Sequence, residues 1–541
     1  MKIRLSPSPG DGPAPEAPSA PSPPEPLELD VPAGENLSRA LWLSGRLRPL
    51  PLCGGLGRCG RCRLRFPRGA LPPLPAEEAV FSPRELAAGW RLACRRHVPE
   101  AARAVPLELE LPREDFAPEA AALEIVPGRM AGRELALAVD LGTTSVHWRA
   151  LALDGAEPGA AVAQGSFLNP QAGAGADVMS RLAAARAPRG RARLARLARD
   201  AVRRIADGLR ASGGRVARVC LAANTAMTDI FLNRDVEGLC AAPYRAAHAG
   251  HETVRLPGLP PVYIPPLPAP FVGGDVSAGL AALLEARTPR PFVLADLGTS
   301  GELALVTARG KPLLASVPLG PALEGIGPEC GQPAGPDVVT DFSLGPAGLE
   351  AHSPDGSSGP ARGVSATGYL SLIDILLQWG LLDASGLFAG ASPPSPLARG
   401  LAAGLRAERG RMRLHLPRGL WLAAADVEEL LKVKAAFALA LDALLAAAGT
   451  PPRDVAAFRL AGALGEHVRP DILERLGLVP AGLGPRIRAA GNAALDGAAL
   501  LALRPEKGAA LARLCAGARV LPLVEDPDFH HAYLRRMRFG A

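Results

Sequence analysis

A chain of 541 residues, 48% hydrophobic and 21% charged, can bury several cores, so two to four domains are expected. Its formal charge of +7 is modest for this length and rests on Arg, Lys being confined to Lys2, Lys311, Lys432, Lys434 and Lys507. With abundant Ala, Gly and Pro this reads as compositional bias and argues against a nucleic-acid partner. No apolar leader follows Met1-Lys2-Ile3-Arg4, and the longest apolar stretch, Ala435–Ala448, is too short to span a bilayer and contains Asp442; a cytoplasmic protein with no membrane partner is expected.

Residues 5–26 are dominated by Pro, Ser, Ala and Glu, so residues 1–26 are expected to form a disordered lead. From Leu27 the pattern reads strand, turn at Pro32–Gly34, then helix. Next come Cys53, Cys59 and Cys62 in C-G-G-L-G-R-C-G-R-C, with Cys94 following in G-W-R-L-A-C. Four thiolates spaced C-x5-C-x2-C plus one distant Cys can hold a [2Fe–2S] cluster. Gly54, Gly55, Gly57 and Gly60 let the backbone wrap closely and point N–H groups at its sulfurs. Structural zinc, the alternative, usually shows two close Cys pairs, and only one is present. Disulfides need an oxidising compartment. Cys220, Cys240, Cys330 and Cys515 are scattered and read as small buried residues.

Cys62–Phe66 alternates like a strand, Phe81–Ala88 reads as a short helix, and Leu107–Leu111 alternates as a closing strand. Residues 27–112 therefore form a small β-rich module, and 113–132 a linker whose reach would let an electron carrier visit two partners. Arg186–Arg204 reads as the wet face of a helix.

An internal duplication follows. Residues 134–155 and 291–310 each run apolar strand, D-L-G-T, alternating strand and turn, about one domain apart. An Asp at a strand end projects its carboxylate at the mouth of a sheet. The glycine after it permits a tight turn, and backbone N–H groups with Thr hydroxyls then face an anion. Two such loops can grip a polyphosphate from both sides, with the aspartates holding Mg²⁺ through water. The candidates are Asp140, Gly142, Thr143 and Thr144 in the first loop, and Asp296, Gly298, Thr299 and Gly301 in the second.

The order of features in residues 27–112 resembles the [2Fe–2S] ferredoxin family, in its adrenodoxin-type spacing. The paired loops resemble the two phosphate motifs of the acetate-kinase, sugar-kinase, heat-shock-chaperone and actin superfamily. F-R-L-A-G-A-L-G-E-H-V resembles its adenosine motif, through Gly462, Ala463 and Gly465, although a plain strand–turn–helix reads equally well. One family joins these parts, the reductive activators of corrinoid proteins. More segments resemble it in order: N-P-Q-A-G-A-G-A-D-V-M-S-R (Asn169–Arg181), A-A-N-T-A-M-T (Ala222–Thr228), F-V-G-G-D (Phe271–Asp275), G-P-A-L-E-G (Gly320–Gly325), D-V-E-E-L-L-K-V-K-A-A (Asp426–Ala436) and G-N-A-A-L-D-G-A (Gly491–Ala498). Ser300 and Leu464 depart from the family's Asn and Phe.

The resemblance implies a multidomain α/β and α+β protein. A β-grasp ferredoxin-like domain would precede a duplicated RNase H-like ATPase fold, with the first phosphate loop in residues 133–290 and the second, with the adenosine motif, in 291–541. It implies a [2Fe–2S] cluster on the four cysteines, ATP and Mg²⁺, and ATP-dependent reduction of Co(II) to Co(I) on a corrinoid protein, fed by an upstream reductant. A homodimer is left open. Two rival readings are an ATP-driven activator of another low-potential enzyme, and a non-enzymatic redox sensor that uses ATP as a switch. Asn224 and Thr225 read as facing the partner or nucleotide or equally as a turn after a strand, and Glu324 as polarising an attacking water or equally as a surface helix start; Asp275 reads as a turn residue, Lys432 and Lys434 as the wet face of a helix, and His530–His531 as surface.

Overall fold

The computed structural model describes residues 1–8, 25–50, 55, 57, 59–69, 71–100, 106–116, 124–125, 130–154, 157–346, 348–389, 396–408, 411–462, 468–523 and 526–540. Three sheets organise it. The first holds β1 (Lys2–Pro7), β2 (Leu27–Asp30), β3 (Arg63–Arg65), β4 (Trp90–Leu92) and β5 (Leu107–Leu111), ordered β2-β1-β5-β3-β4. The expected disordered lead is corrected here. β1 lies inside the sheet, antiparallel to β2 and parallel to β5. Ile3 and Leu5 are buried while Lys2 and Arg4 are exposed, the period of two that a half-buried strand requires. The Pro-rich residues 9–24 lie outside the described residues. The helix Leu37–Trp42 packs on this sheet, and Asn36 caps it by accepting from the N–H groups of Ser38 and Arg39.

The expected linker is partly built into the fold. Arg113–Phe116 is a short helical turn, Arg48 N donates to the Asp115 carbonyl at 2.9 Å, and β6 (Glu124–Ile125) pairs antiparallel with β9 (Ala161–Leu168). The second sheet also contains β7 (Glu134–Leu141), β8 (Ser145–Ala152), β10 (Arg215–Ala222), β11 (Glu252–Val254) and β12 (Val262–Ile264), in the order β11-β12-β10-β7-β8-β9-β6. The third is built on β13 (Phe292–Leu297), β14 (Ser300–Val306) and β15 (Pro312–Pro318), with Ala457–Ala461 and Ile487–Gly491 beyond β13 and Arg519–Val520 beyond β15. The two large sheets repeat one plan. β7 and β13 each form an antiparallel hairpin with the next strand and lie parallel to a later one on their other edge. The central strands are nearly wholly apolar because both faces are covered.

Two helices join the repeats. Gly274–Glu285 and Ala493–Leu503 cross so closely that a Cβ on Gly497 would lie 1.8 Å from the Ala278 carbonyl oxygen. Ala278, Ala281, Ala494 and Ala498 are buried at this crossing. Beyond the third sheet runs Ala424–Ala448, where one expectation fails. Lys434 does not lie on a wet face but is 2% exposed, its Nζ donating to the carbonyls of Arg536, Arg538 and Gly540. Those are C-terminal carbonyls that a buried ammonium satisfies together. Among the described residues no helix is long and apolar enough to cross a membrane.

Candidate functional site

In the first sheet, β3 leads out of the cysteine loop and β4 leads into the turn Ala93–Arg95 that carries Cys94. Cys62, Cys94 and Cys59 converge. The hydrogen bond with Cys94, then burial, pushes the Cys62 thiol well above its ordinary value, and the charges of Cys94 and Cys59 add to the rise. Thiols that resist joint ionisation because they face one another are suited to a shared cation, which would relieve the repulsion. Cys53 lies outside the described residues, and among those described no group of three or more His, Cys, Asp or Glu side chains is placed to hold a metal ion. Gly55, Gly57 and Gly60 all have positive φ, and a Cβ at 57 or 60 would press on Arg95 or Val80. A missed support is Glu77. It is fully buried, takes both Arg96 and the Leu92 N–H on Oε1, and so ties the Cys94 segment to the helix Pro75–Val80. Burial alone would raise its carboxyl; the Arg96 guanidinium and the N–H groups of Leu74 and Leu92 outweigh that and hold it below the ordinary value.

The second feature is a cavity of about 480 Å³ between the two large sheets. The β7–β8 turn contributes Asp140, Gly142, Thr143 and Thr144, and the β13–β14 turn contributes Asp296, Gly298 and Thr299. Gly142 is needed because a Cβ would lie 2.7 Å from the Ser145 carbonyl oxygen. Gly462 also lines the cavity; its φ is +85° and a Cβ would meet Asp296 Oδ1 at 3.0 Å. Ala463 and Gly465 lie outside the described residues. Gly301 is not brought to the cavity. It is buried on β14, where a Cβ would strike Leu319 at 2.6 Å, so its smallness serves packing.

Several lining residues stand at helix N-termini: Asn224, Asp275, Asn492 and Ser365–Thr367. Helix starts offer partial positive charge to anions. Asn224 Nδ2 donates to Glu302 on β14, and Asn492 Nδ2 donates to Asp140 Oδ2 at 2.7 Å, so each asparagine crosses from one repeat to the other. The first loop is held from behind: Asn169 Nδ2 donates to the Gly142 carbonyl at 2.7 Å, and Arg181, fully buried, donates to the Thr143 carbonyl. The second is held by Glu324, whose Oε1 accepts from Thr299 Oγ1 at 2.7 Å, and by the Gly320 N–H on the Thr299 carbonyl.

Five carboxyls therefore share the cleft. Burial raises Asp140, opposed by His147 and Asn492; burial and neighbouring acids push Asp275 to about 7 and Asp296 to about 8, Glu302 well up, and Glu324 upward. Acids that ionise against one another fit a divalent cation held through water, since Mg²⁺ keeps much of its hydration and uses few direct carboxylates. Asp275, Glu302 and Asn492 were missed or discounted on sequence. Asp275 reads as a turn residue, and Asn492 enters only within the segment Gly491–Ala498; in neither case does the residue type say that the helix start faces a cleft.

The two features touch. Trp42 packs on the segment after β9, where a Cβ on Gly173 would lie 2.7 Å from Trp42 Cβ. Arg193 donates to the Leu43 carbonyl and pairs with Glu35, each at 2.8 Å. Arg61, between Cys59 and Cys62, donates to the Gly331 carbonyl, two residues from Pro333 on the cavity wall.

A duplicated sheet plan with two acid–glycine–threonine turns facing across one cleft is the architecture of the ASKHA class. Residues 290–540 match the family model described as the C-terminal domain of RACo, the ASKHA domain, and residues 135–284 match that of the RACo middle region. Together these span well over half of the chain, which belongs to the RACo family. The corrinoid activation enzyme RamQ of Eubacterium limosum is 26% identical over 424 residues, covering 75% of this chain and 70% of that protein. A solved structure titled reductive activator for corrinoid, iron-sulfur protein shares the fold with a TM-score of 0.66 at 20% identity, covering 99% of this chain and 98% of its own. A shorter match, 41% identical over 68 residues, is to one component of the Na(+)-translocating NADH-quinone reductase of Chlamydia felis; it covers 13% of this chain and only 16% of that component.

Proposed function

We propose that this chain is an ATP-dependent reductive activator of a corrinoid protein, converting Co(II) to Co(I) on that partner. The observation that carries the reading is the union, in one chain, of converging thiols and a two-loop phosphate cleft, with Arg61 linking the thiol loop to the cleft wall. The order of the first sheet fits a β-grasp ferredoxin-like domain, and the short match to the quinone reductase component supports the same assignment. Cys53, Cys59, Cys62 and Cys94 would hold a [2Fe–2S] cluster, which when bound supplies one electron at a time.

The remaining chemistry belongs to the cleft. Asp140 and Asp296 would hold Mg²⁺ through water, and the turns at Gly142–Thr144 and Gly298–Thr299 would cradle the phosphates with backbone N–H groups and hydroxyls. Gly462 would leave room for the nucleoside side. Because the turns belong to different repeats, a nucleotide gripping both favours the closed arrangement of the cleft. ATP can drive an unfavourable electron transfer only by binding two states of the protein unequally, and cleft closure is the available difference.

The test is anaerobic reduction of a cob(II)alamin-bearing protein by the reconstituted chain with Mg-ATP, followed by absorbance. Cys59→Ser should abolish reduction while ATP binding survives, and Asp296→Asn should abolish ATP-driven reduction while the cluster spectrum persists. A chain that purifies without iron and acid-labile sulfide, or reduces its partner equally well without ATP, refutes the proposal.

A further inference from the structure

The thiol domain rests on the same place in both repeats. Each repeat begins as a three-stranded meander, β7-β8-β9 in the first and β13-β14-β15 in the second. In each, the chain that leaves the third strand grips its own phosphate turn and then meets the thiol domain. Asn169 follows β9; its N–H donates to the Thr144 carbonyl at 2.8 Å and its Nδ2 to the Gly142 carbonyl at 2.7 Å. Four residues on, Gly173 lies against Trp42 of the thiol domain. Gly320 follows β15; its N–H donates to the Thr299 carbonyl at 2.9 Å, and Glu324 accepts from Thr299 Oγ1 at 2.7 Å. Farther on, Gly331 is pressed so closely on Gly325 that a Cβ would lie 2.6 Å from the Gly325 carbonyl oxygen. The Gly331 carbonyl accepts from Arg61 of the thiol domain.

The first side is the broader. Arg193 there adds a pair with Glu35 and bonds to the Leu43 and Ala40 carbonyls. Gly55 and Cys94 share a cavity of about 250 Å³ with Gly173, Ala174 and Gly175, so the cysteine loop itself stands at the seam. In this arrangement the repeats are also tied to each other, by Asn492 on Asp140 and by Asn224 on Glu302. A body fixed to the first repeat by Trp42 and Arg193 keeps Arg61 at Gly331 only while the second repeat holds this position. Widening the cleft would draw the Gly331 carbonyl away.

We propose that the thiol domain and the nucleotide reinforce each other: docked across equivalent segments of both repeats, the thiol domain holds the two phosphate turns at the spacing that Mg-ATP requires, with Arg61 as the positioning residue on the second side. The coupling is reciprocal. What docking adds to nucleotide affinity, nucleotide adds to docking. Linkage of this kind constrains affinities and not rate constants, so turnover at saturating nucleotide need not follow it.

This inference rests on the ATP-binding reading above, and the experiment separates the two. In the full-length chain, the affinity for magnesium with a non-hydrolysable ATP analogue is measured by calorimetry, and docking is followed by hydrogen exchange at the amides of Leu37–Leu43. Arg61→Ala should weaken the analogue about fivefold, and Arg61→Lys, which can still donate to a carbonyl, should stay within about twofold of the natural chain. Arg193→Ala, which loosens the first side away from the cysteine loop, should also weaken it about fivefold, and it decides the matter if Arg61→Ala does not fold. The analogue should slow exchange at Leu37–Leu43 about threefold in the natural chain and leave it unchanged in Arg61→Ala, with exchange in β5 the same in both. Unchanged affinity in either alanine variant overturns the inference and leaves the ATP-binding reading standing, as does an analogue that leaves exchange at Leu37–Leu43 unaltered in the natural chain or speeds it. Failure of the natural chain to bind the analogue overturns the ATP-binding reading itself, and the inference with it.

Discussion

The two D-L-G-T turns share a peptide and differ in almost everything around it. Asp140 sits across its hairpin from His147 and accepts from Asn492. Asp296 sits across from Glu302 and is pressed by Asp275, Asp140 and Glu324 besides. Behind the first turn stand Asn169 and a buried arginine; behind the second stands a glutamate. A duplication copies the backbone of the turn, but the charges around each copy come from other segments and diverge. The first turn is partly neutralised by its own surroundings. The second is not, the charges that press on it being those of other acids.

The sharpest way to break that comparison is to remove one acid at a time. Asp296→Asn should lower ATP turnover by about 10³-fold, since the cation then loses the acid facing the most crowded wall; phosphate-release assays check this. Equal tolerance of Asp296→Asn and of Asp140→Asn would erase the asymmetry. A second effect appears without nucleotide. The Asp296 carboxyl is raised to about 8, so the folded chain holds that proton more tightly than the unfolded one. Stability of the nucleotide-free chain should therefore decline as pH rises from roughly 4, the unfolded carboxylate value, and level off near about 8. Thermal melts should fall by several degrees across that window, Mg-nucleotide should restore them, and Asp296→Asn should flatten the slope. A smaller effect is expected at Asn492. Asn492→Ala removes the hydrogen bond on Asp140 Oδ2 and should weaken Mg-ATP binding by about ten- to a hundredfold, the worth of one bond to a charged group, as read by calorimetry. Smallest for the cleft is Gly173→Val, which drives a side chain into Trp42; ATP turnover should stay within about twofold while limited proteolysis of the full chain speeds up.

How much of this could be read from the chain depends on what kind of information a residue carries. The cysteine loop and the first turn were legible because their glycines obey local sterics: Gly55, Gly57 and Gly60 take positive φ, and Gly142 is demanded by the Ser145 carbonyl oxygen 2.7 Å away. β1 was missed although Ile3 and Leu5 alternate with charges, because the proline run behind it dominated the reading. Gly301 looked like part of a phosphate motif and instead makes room for Leu319. Lys434 looked solvated because its helix carries Lys432 two residues away, yet the C-terminal carbonyls that bury it come from a hundred residues downstream. Asp275, Glu302 and Asn492 become site residues only when helices from different repeats meet, and no local pattern reports that meeting.

The resting place of the thiol domain has one further consequence. Trp42 against Gly173, Arg193 on Glu35 and Arg61 on Gly331 moor it to both halves of the cleft, and part of the segment once expected to act as a leash is woven into the second sheet as β6. If the thiol domain is the electron carrier proposed above, a carrier berthed this way would not search for its acceptor by tether diffusion. On that reading the acceptor would have to come alongside the berth or cast off those moorings, and the timing of delivery would be set by a dock and not by the length of a rope.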